Sequence, residues 1–139
     1  MTGDDTAPRL LVVDDEASVR EFLERALQTA AYDVVVASDG AKALELVDRR
    51  GPFDGFVVDV VMPGMSGSEL GQALRRVDPD AKILYCTGFS DKLFGEKTTL
   101  GAHEAFVEKP LTINGLLEAV SLLLHGDLRR AGRARRSGR

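Results

Sequence analysis

Apolar residues fall along this chain in two alternating rhythms. Leu10-Leu11-Val12-Val13 is a short unbroken apolar run, the mark of a strand buried on both faces. Val19, Phe22, Leu23, Ala26, Leu27 and Ala30 follow at spacings of three and four, one face of a helix. Val34-Val35-Val36-Ala37 reads as a second strand. Ala43, Leu44 and Val47 mark a second helix, which Gly51-Pro52 ends, since proline lacks the donor that a further turn needs. Phe56-Val57-Val58 is a third strand closing on Asp59. Ser66 and Glu69 have capping-box spacing, and open a helix lined by Leu70, Ala73, Leu74 and Val77 that Asp78-Pro79 stops. Ile83-Leu84-Tyr85-Cys86 is a fourth strand. A weaker helix is predicted from about Asp91 to Leu100, interrupted by Gly95. Ala105-Phe106-Val107 is a fifth strand, and Ile113, Leu116, Leu117, Val120, Leu123 and Leu124 form the apolar face of a last helix.

Strands alternating with helices of this length predict parallel βαβ units, an α/β class and a (βα)5 architecture. Right-handed crossovers make that a doubly wound, five-stranded parallel sheet. Residues 1–8 read as a short disordered lead, 9–125 as one domain and 126–139 as a basic flexible tail.

Composition agrees with one packed domain. The 139 residues are 44% hydrophobic and 29% charged, which suits a core with a solvated surface and excludes disordered or collagen-like chains. One cysteine, Cys86, excludes an internal disulfide framework and a cysteine-based zinc cluster. No apolar run approaches the roughly 18 residues of a membrane span. The acidic start Met1-Thr2-Gly3-Asp4-Asp5 lacks the basic beginning of a secretory signal, so the cytoplasm is the expected location. The net charge of −4 is uneven. Residues 126–139 hold six arginines and one aspartate, so that segment carries +5 and the remainder −9. An acidic body repels phosphates and makes a nucleic-acid partner the weaker expectation. It is a suitable host for a divalent cation.

In a doubly wound sheet, ligands bind beyond the carboxyl ends of the strands. Strand one ends in Asp14-Asp15-Glu16, strand three in Asp59, strand four in Thr87-Gly88 and strand five in Lys109-Pro110. Ser38-Asp39-Gly40, after strand two, reads as a helix start instead. Three carboxylates brought together would repel and raise one another's pKa. A hard cation such as Mg²⁺ relieves that repulsion and keeps waters and phosphate oxygens as further ligands. Three carboxylates, one Mg²⁺ and Lys109 sum to zero charge. Such a site can receive a phosphoryl group, and a carboxylate is a competent nucleophile toward phosphorus.

Five segments in this order and spacing resemble the receiver domain of two-component response regulators, the chemotaxis-regulator-like family. They are Val12-Val13-Asp14-Asp15-Glu16, Val58-Asp59-Val60-Val61-Met62-Pro63-Gly64-Met65-Ser66-Gly67, Cys86-Thr87-Gly88, Phe106-Val107-Glu108-Lys109 and the following Pro110. The resemblance covers about residues 9 to 124. It implies a flavodoxin-like sheet of order 2-1-3-4-5. Asp59 would be the phosphoacceptor, served by a histidine kinase or a histidine phosphotransfer protein. Asp14, Asp15, Asp59 and the backbone carbonyl of Val61 would hold Mg²⁺, or Mn²⁺ in its place. Thr87, Gly88 and Lys109 would contact the bound phosphoryl group, and the Lys109–Pro110 bond would be cis. Thr87 and Phe106 would form the switch. It would reshape the face made by the 91–100 helix, the fifth strand and the last helix, for a downstream protein or a homodimer. Such a domain promotes only its own phosphorylation and dephosphorylation.

Three positions depart from the family's commonest pattern. Phe106 stands where tyrosine is frequent, which implies a ring with no hydroxyl to draw it outward. Val61 and Phe89, two places after Asp59 and Thr87, are apolar where the family's hydrolytic water passes, which implies a slow loss of the phosphoryl group. Met62 and Met65 read as packing residues, Cys86 as an inert buried thiol, and His103 and His125 as surface or packing groups. A Mg²⁺-dependent phosphohydrolase is the rival enzyme class. Its second acid would stand at position 61, which is Val61. A nucleotide-binding domain would need a glycine-rich loop after strand one, which is absent. The remaining alternative is a receiver cut from a larger regulator with a DNA-binding or enzymatic output domain.

Overall fold

A computed structural model describes residues 7–88 and 103–126, apart from the Thr87 side chain. The 1–6 lead, Phe89, the helix expected at 91–100 and the 127–139 part of the tail lie outside the described residues. In chain order the elements are β1 (Arg9–Val13), α1 (Ala17–Thr29), β2 (Asp33–Ala37), α2 (Gly40–Arg50), β3 (Gly55–Asp59), α3 (Gly67–Val77), β4 (Ile83–Thr87), β5 (Glu104–Glu108) and α4 (Ile113–His125). All pairings are parallel, in the expected order β2-β1-β3-β4-β5.

The strands alternate between two cores, as the two-residue period of a strand requires. Leu11, Val13, Phe56, Val58, Ile83 and Tyr85 face one cluster, closed by Ala43 of α2 and by Leu70 and Leu74 of α3. Leu10, Val12, Val57, Leu84 and Cys86 face the other, closed by Leu23, Ala26 and Leu27 of α1 and by Leu116, Val120, Leu123 and Leu124 of α4. The central strands are therefore buried on both faces, whereas β2 at the edge is only half-buried through Val34, Val35 and Val36. Each such leucine or valine stabilises the fold by about 1.5–3 kcal/mol when fully buried.

The strands run one or two residues past their apolar runs. Pro8, placed in the lead by its composition, gives its carbonyl to Asp33 N–H at 2.9 Å. Arg9 stays in the ladder because its side chain is anchored. The guanidinium pairs with Asp33 at 3.3 Å, donates to the Arg50 and Pro52 carbonyls, and lies 4.8 Å over the Phe53 ring. Asp39 caps α2 by accepting from Lys42 N–H at 2.8 Å. Ser66 and Glu69 form the reciprocal capping box of α3. α1 ends in a Schellman turn, with Tyr32 N–H on the Leu27 carbonyl and Ala31 N–H on that of Gln28. Ala31 occupies the left-handed position of that turn, at φ 67°.

Candidate functional site

The acid cluster is a consequence of strand register. Val13 pairs with Val58, so the next residues, Asp14 and Asp59, emerge side by side at the carboxyl edge. Asp59 pairs with Cys86, Cys86 with Val107, and Thr87 with Glu108, which brings the β4 and β5 ends to the same edge. One donor oxygen each from Asp14, Asp15 and Asp59 lies within 4.8 Å of the others. Lys109 Nζ reaches Asp14 Oδ2 at 3.3 Å and Asp59 Oδ1 at 3.5 Å. Asp14 is fully buried and Asp59 is 7% exposed, while Asp15 is exposed.

The loop after β3 is shaped so that Asp59 can sit this way. Gly67 opens α3 directly against the strand end, and a Cβ there would lie 2.3 Å from the Asp59 carbonyl oxygen. Only glycine allows that close approach. Gly64 turns the loop at φ 76°, a region other residues enter reluctantly. Val60 N–H donates to the Cys86 carbonyl and Gly67 N–H to that of Val60, so the loop is tied at both ends. The Lys109–Pro110 and Gly51–Pro52 bonds are both cis.

Electrostatics follow from this packing. The Asp59 carboxyl is pushed up from 3.8 to about 6, mainly by burial and then by the Asp14 charge. Lys109 and a hydrogen bond from Val61 N–H act in the opposite direction. At Lys109, burial works against the charged form, but Asp14 and Asp59 outweigh it and hold the ammonium above its usual range. Three carboxylates and one ammonium leave two negative charges, the complement of a divalent cation. Mg²⁺ ligands on opposite sides stand about 4.2 Å apart at bond lengths of about 2.1 Å. Oxygens within 4.8 Å of one another can close on such an ion with small rotations or through retained waters. The donor set therefore fits Mg²⁺. Both Asp14 oxygens already have partners, Oδ1 in Glu16 N–H at 2.9 Å and Oδ2 in Lys109. Asp15 and Asp59 are the better-placed direct ligands.

The other residues singled out from sequence are placed as follows. Val61 is exposed (41%) beside Asp59. Thr87 ends β4, and the exposed Gly88 lies close to Lys109, 4.0 Å from its Cβ to where a Gly88 Cβ would stand. Phe106 is half-buried against the cluster that contains Tyr85. Cys86 is buried, and its thiol is pushed up to about 12 by that burial, which leaves it unreactive. His103 faces Asp80 at 3.7 Å, and His125 lies in the last turn of α4.

Two polar arrangements escaped the sequence reading. Arg20 Nη1 donates to the Asp14 carbonyl at 2.8 Å. Buried Glu104 accepts from Arg75 Nε at 3.1 Å and from the Tyr85 hydroxyl at 3.2 Å. Neither shows in a periodicity. The only signal was an ionisable residue, Glu104, bordering an apolar strand.

The sequence model of the response regulator receiver domain matches residues 10–121. The chain is 32% identical over 116 residues to the response regulator receiver protein CpdR of Brucella abortus (strain 2308), covering 84% of this chain and 96% of that protein. It is 36% identical over 116 residues to the sensor kinase CckA of the same strain, covering 83% of this chain and 12% of the kinase. Among solved structures, the Thermotoga maritima response regulator TrrA in complex with Mg(2+)-BeF is 36% identical, with a TM-score of 0.75 over 84% of this chain and 99% of that one. This chain belongs to the response regulator receiver domain family of two-component signalling. It spans nearly all of CpdR but a small part of CckA. Among the described residues no helix is long and apolar enough to cross a membrane.

Proposed function

We propose that this chain is a phosphoacceptor domain in which Asp59 takes a phosphoryl group from a histidine kinase or a histidine phosphotransfer protein. An Asp59 carboxylate oxygen attacks phosphorus, the bond from phosphorus to the donor imidazole breaks, and an acyl phosphate remains on Asp59. The observation that carries this reading is the convergence of Asp14, Asp15, Asp59 and Lys109 at one strand edge. Asp15 and Asp59 would hold Mg²⁺ (or Mn²⁺) directly with the Val61 carbonyl, and Asp14 would support them from behind. When bound, the cation offsets charge on the phosphoryl oxygens. Lys109 offers its ammonium to a further oxygen, and Thr87 with Gly88 lines the same edge.

Phosphorylation would then be read at the β5–α4 face through Thr87 and Phe106, by a downstream protein or a second copy of the chain. The domain comprises residues 9–125, acts in the cytoplasm and catalyses only its own phosphoryl chemistry. The test is a beryllofluoride titration followed by NMR, with and without Mg²⁺, in the native chain and in Asp59→Asn. The expected result is a set of shifts at Gly88 and Phe106 that needs Mg²⁺ and vanishes in Asp59→Asn. Identical shifts in the variant, or none in the native chain, would overturn the reading.

A further inference from the structure

Arg20 belongs to none of the motifs above, yet its side chain ends at the acid cluster. Its guanidinium donates to the main-chain carbonyl of Asp14 at 2.8 Å. That oxygen is part of the planar peptide joining Asp14 to Asp15. Fixing it fixes the direction in which the chain leaves Asp14, and so where the Asp15 side chain starts. The other polar atoms of Asp14 are tied separately: its N–H to the Ala37 carbonyl at 3.2 Å, Oδ1 to Glu16 N–H and Oδ2 to Lys109. Asp15 is exposed, and the Asp14–Asp15 peptide is what positions it.

The start of α1 makes this tie more consequential. Glu16 stands at the N-cap but its side chain makes no capping hydrogen bond, so the helix lacks the usual link between its first turn and the loop before it. Arg20 supplies one. Its backbone N–H donates to the Glu16 carbonyl at 3.0 Å, and its side chain reaches two residues further back, to Asp14, across the same turn. A charged donor on a carbonyl is stronger than a neutral one.

We propose that Arg20 is a positioning residue for the cation site, holding the Asp14–Asp15 peptide in the orientation that lets Asp15 and Asp59 share one ion. The proposal rests on the reading of the acid cluster as a Mg²⁺ site. Loss of such an outer support lowers metal affinity by about tenfold or more. A purely structural role would lower stability and leave the affinity of the folded molecules unchanged.

The experiment is a Mg²⁺ titration of the full chain by amide NMR at pH 7.5, reading Glu16 and Gly88, in the native protein, Arg20→Met, Arg20→Gln and Arg20→Lys. The expected result is a dissociation constant about tenfold higher in Arg20→Met, with most of the loss recovered in Arg20→Lys, which keeps a charged donor. Should Arg20→Met fail to fold, Arg20→Gln carries the same comparison. A dissociation constant within twofold of native in the folded neutral variants overturns the positioning role alone. A native chain with no saturable Mg²⁺ response overturns the reading of the site itself.

Discussion

Replacing Asp59 by asparagine should stabilise the metal-free protein at neutral pH. The folded-state carboxyl lies at about 6 against an ordinary 3.8, a difference that corresponds to about 3 kcal/mol. Because the folded value is the higher one, the folded protein retains a proton that the unfolded chain has already released between pH 4 and 6. The associated stability is complete below pH 4 and is lost as the pH rises through 6. Asparagine resembles the protonated acid in size and does not ionise. In urea unfolding with EDTA, native and Asp59→Asn proteins should therefore be similar near pH 4, and the variant should be ahead by about 3 kcal/mol at pH 8. Mg²⁺ should narrow that gap from the native side, by about 1.4 kcal/mol at ten times its dissociation constant, while leaving the variant little changed. Its affinity should rise with pH through 6, since the ion needs the ionised carboxylate. A variant no more stable than native at pH 8 in EDTA, or a gap of equal size at pH 4, would refute the electrostatic account of the pocket.

Three further outcomes are expected. Gly71→Ala should destabilise by about 2 kcal/mol, because its Cβ would stand 2.0 Å from the Tyr85 hydroxyl; adding Tyr85→Phe should recover part of the loss, and strict additivity in thermal melts would contradict the clash. Ala31→Gly should stabilise by about 1 kcal/mol, since it relieves the left-handed backbone at the end of α1; an unchanged or lower urea midpoint would count against it. The acyl phosphate of the native chain should be long-lived because Val61, exposed beside Asp59, cannot orient water. Val61→Asn should shorten its lifetime by about tenfold or more in a phosphate-release assay, and equal lifetimes would exclude Val61 as the cause.

The parallel sheet was legible in the sequence because its central strands are buried on both faces, and a run such as Leu10–Val13 has no other economical placement. The candidate acids were legible because Asp14 and Asp59 follow directly on such runs and Asp15 comes next after Asp14. Strand ends were less so. Arg9, Glu104 and Glu108 continue their strands through backbone pairing, although their side chains break the apolar pattern. In the case of Arg9 and Glu104 the compensation comes from partners 24 or more residues away, Asp33 for one and Arg75 for the other. Long-range ion pairs of this kind leave no periodic trace. The same holds for Arg20, whose partner is a main-chain oxygen that any residue at position 14 would supply.

The geometry of the acid site is set chiefly by apolar registry, with the polar ties acting as adjustments. Val13 opposite Val58 lies within one filled core, and Asp59 opposite Cys86 borders the other. A slip of one residue in β1 would move Leu10 and Val12 into the cluster that now holds Leu11 and Val13, exchanging every side chain between faces. It would also carry Asp14 away from Asp59 by about 3.3 Å, beyond the reach of a shared ion. A slip in either direction would put Arg9 or Asp14 where a fully buried leucine or valine now stands, and a buried charge without a partner costs several kcal/mol. The repulsion among the three acids is only part of the about 3 kcal/mol held at Asp59, most of which comes from burial. The cores therefore outweigh the repulsion and hold the carboxylates in place before any cation arrives, so binding need not first assemble the site.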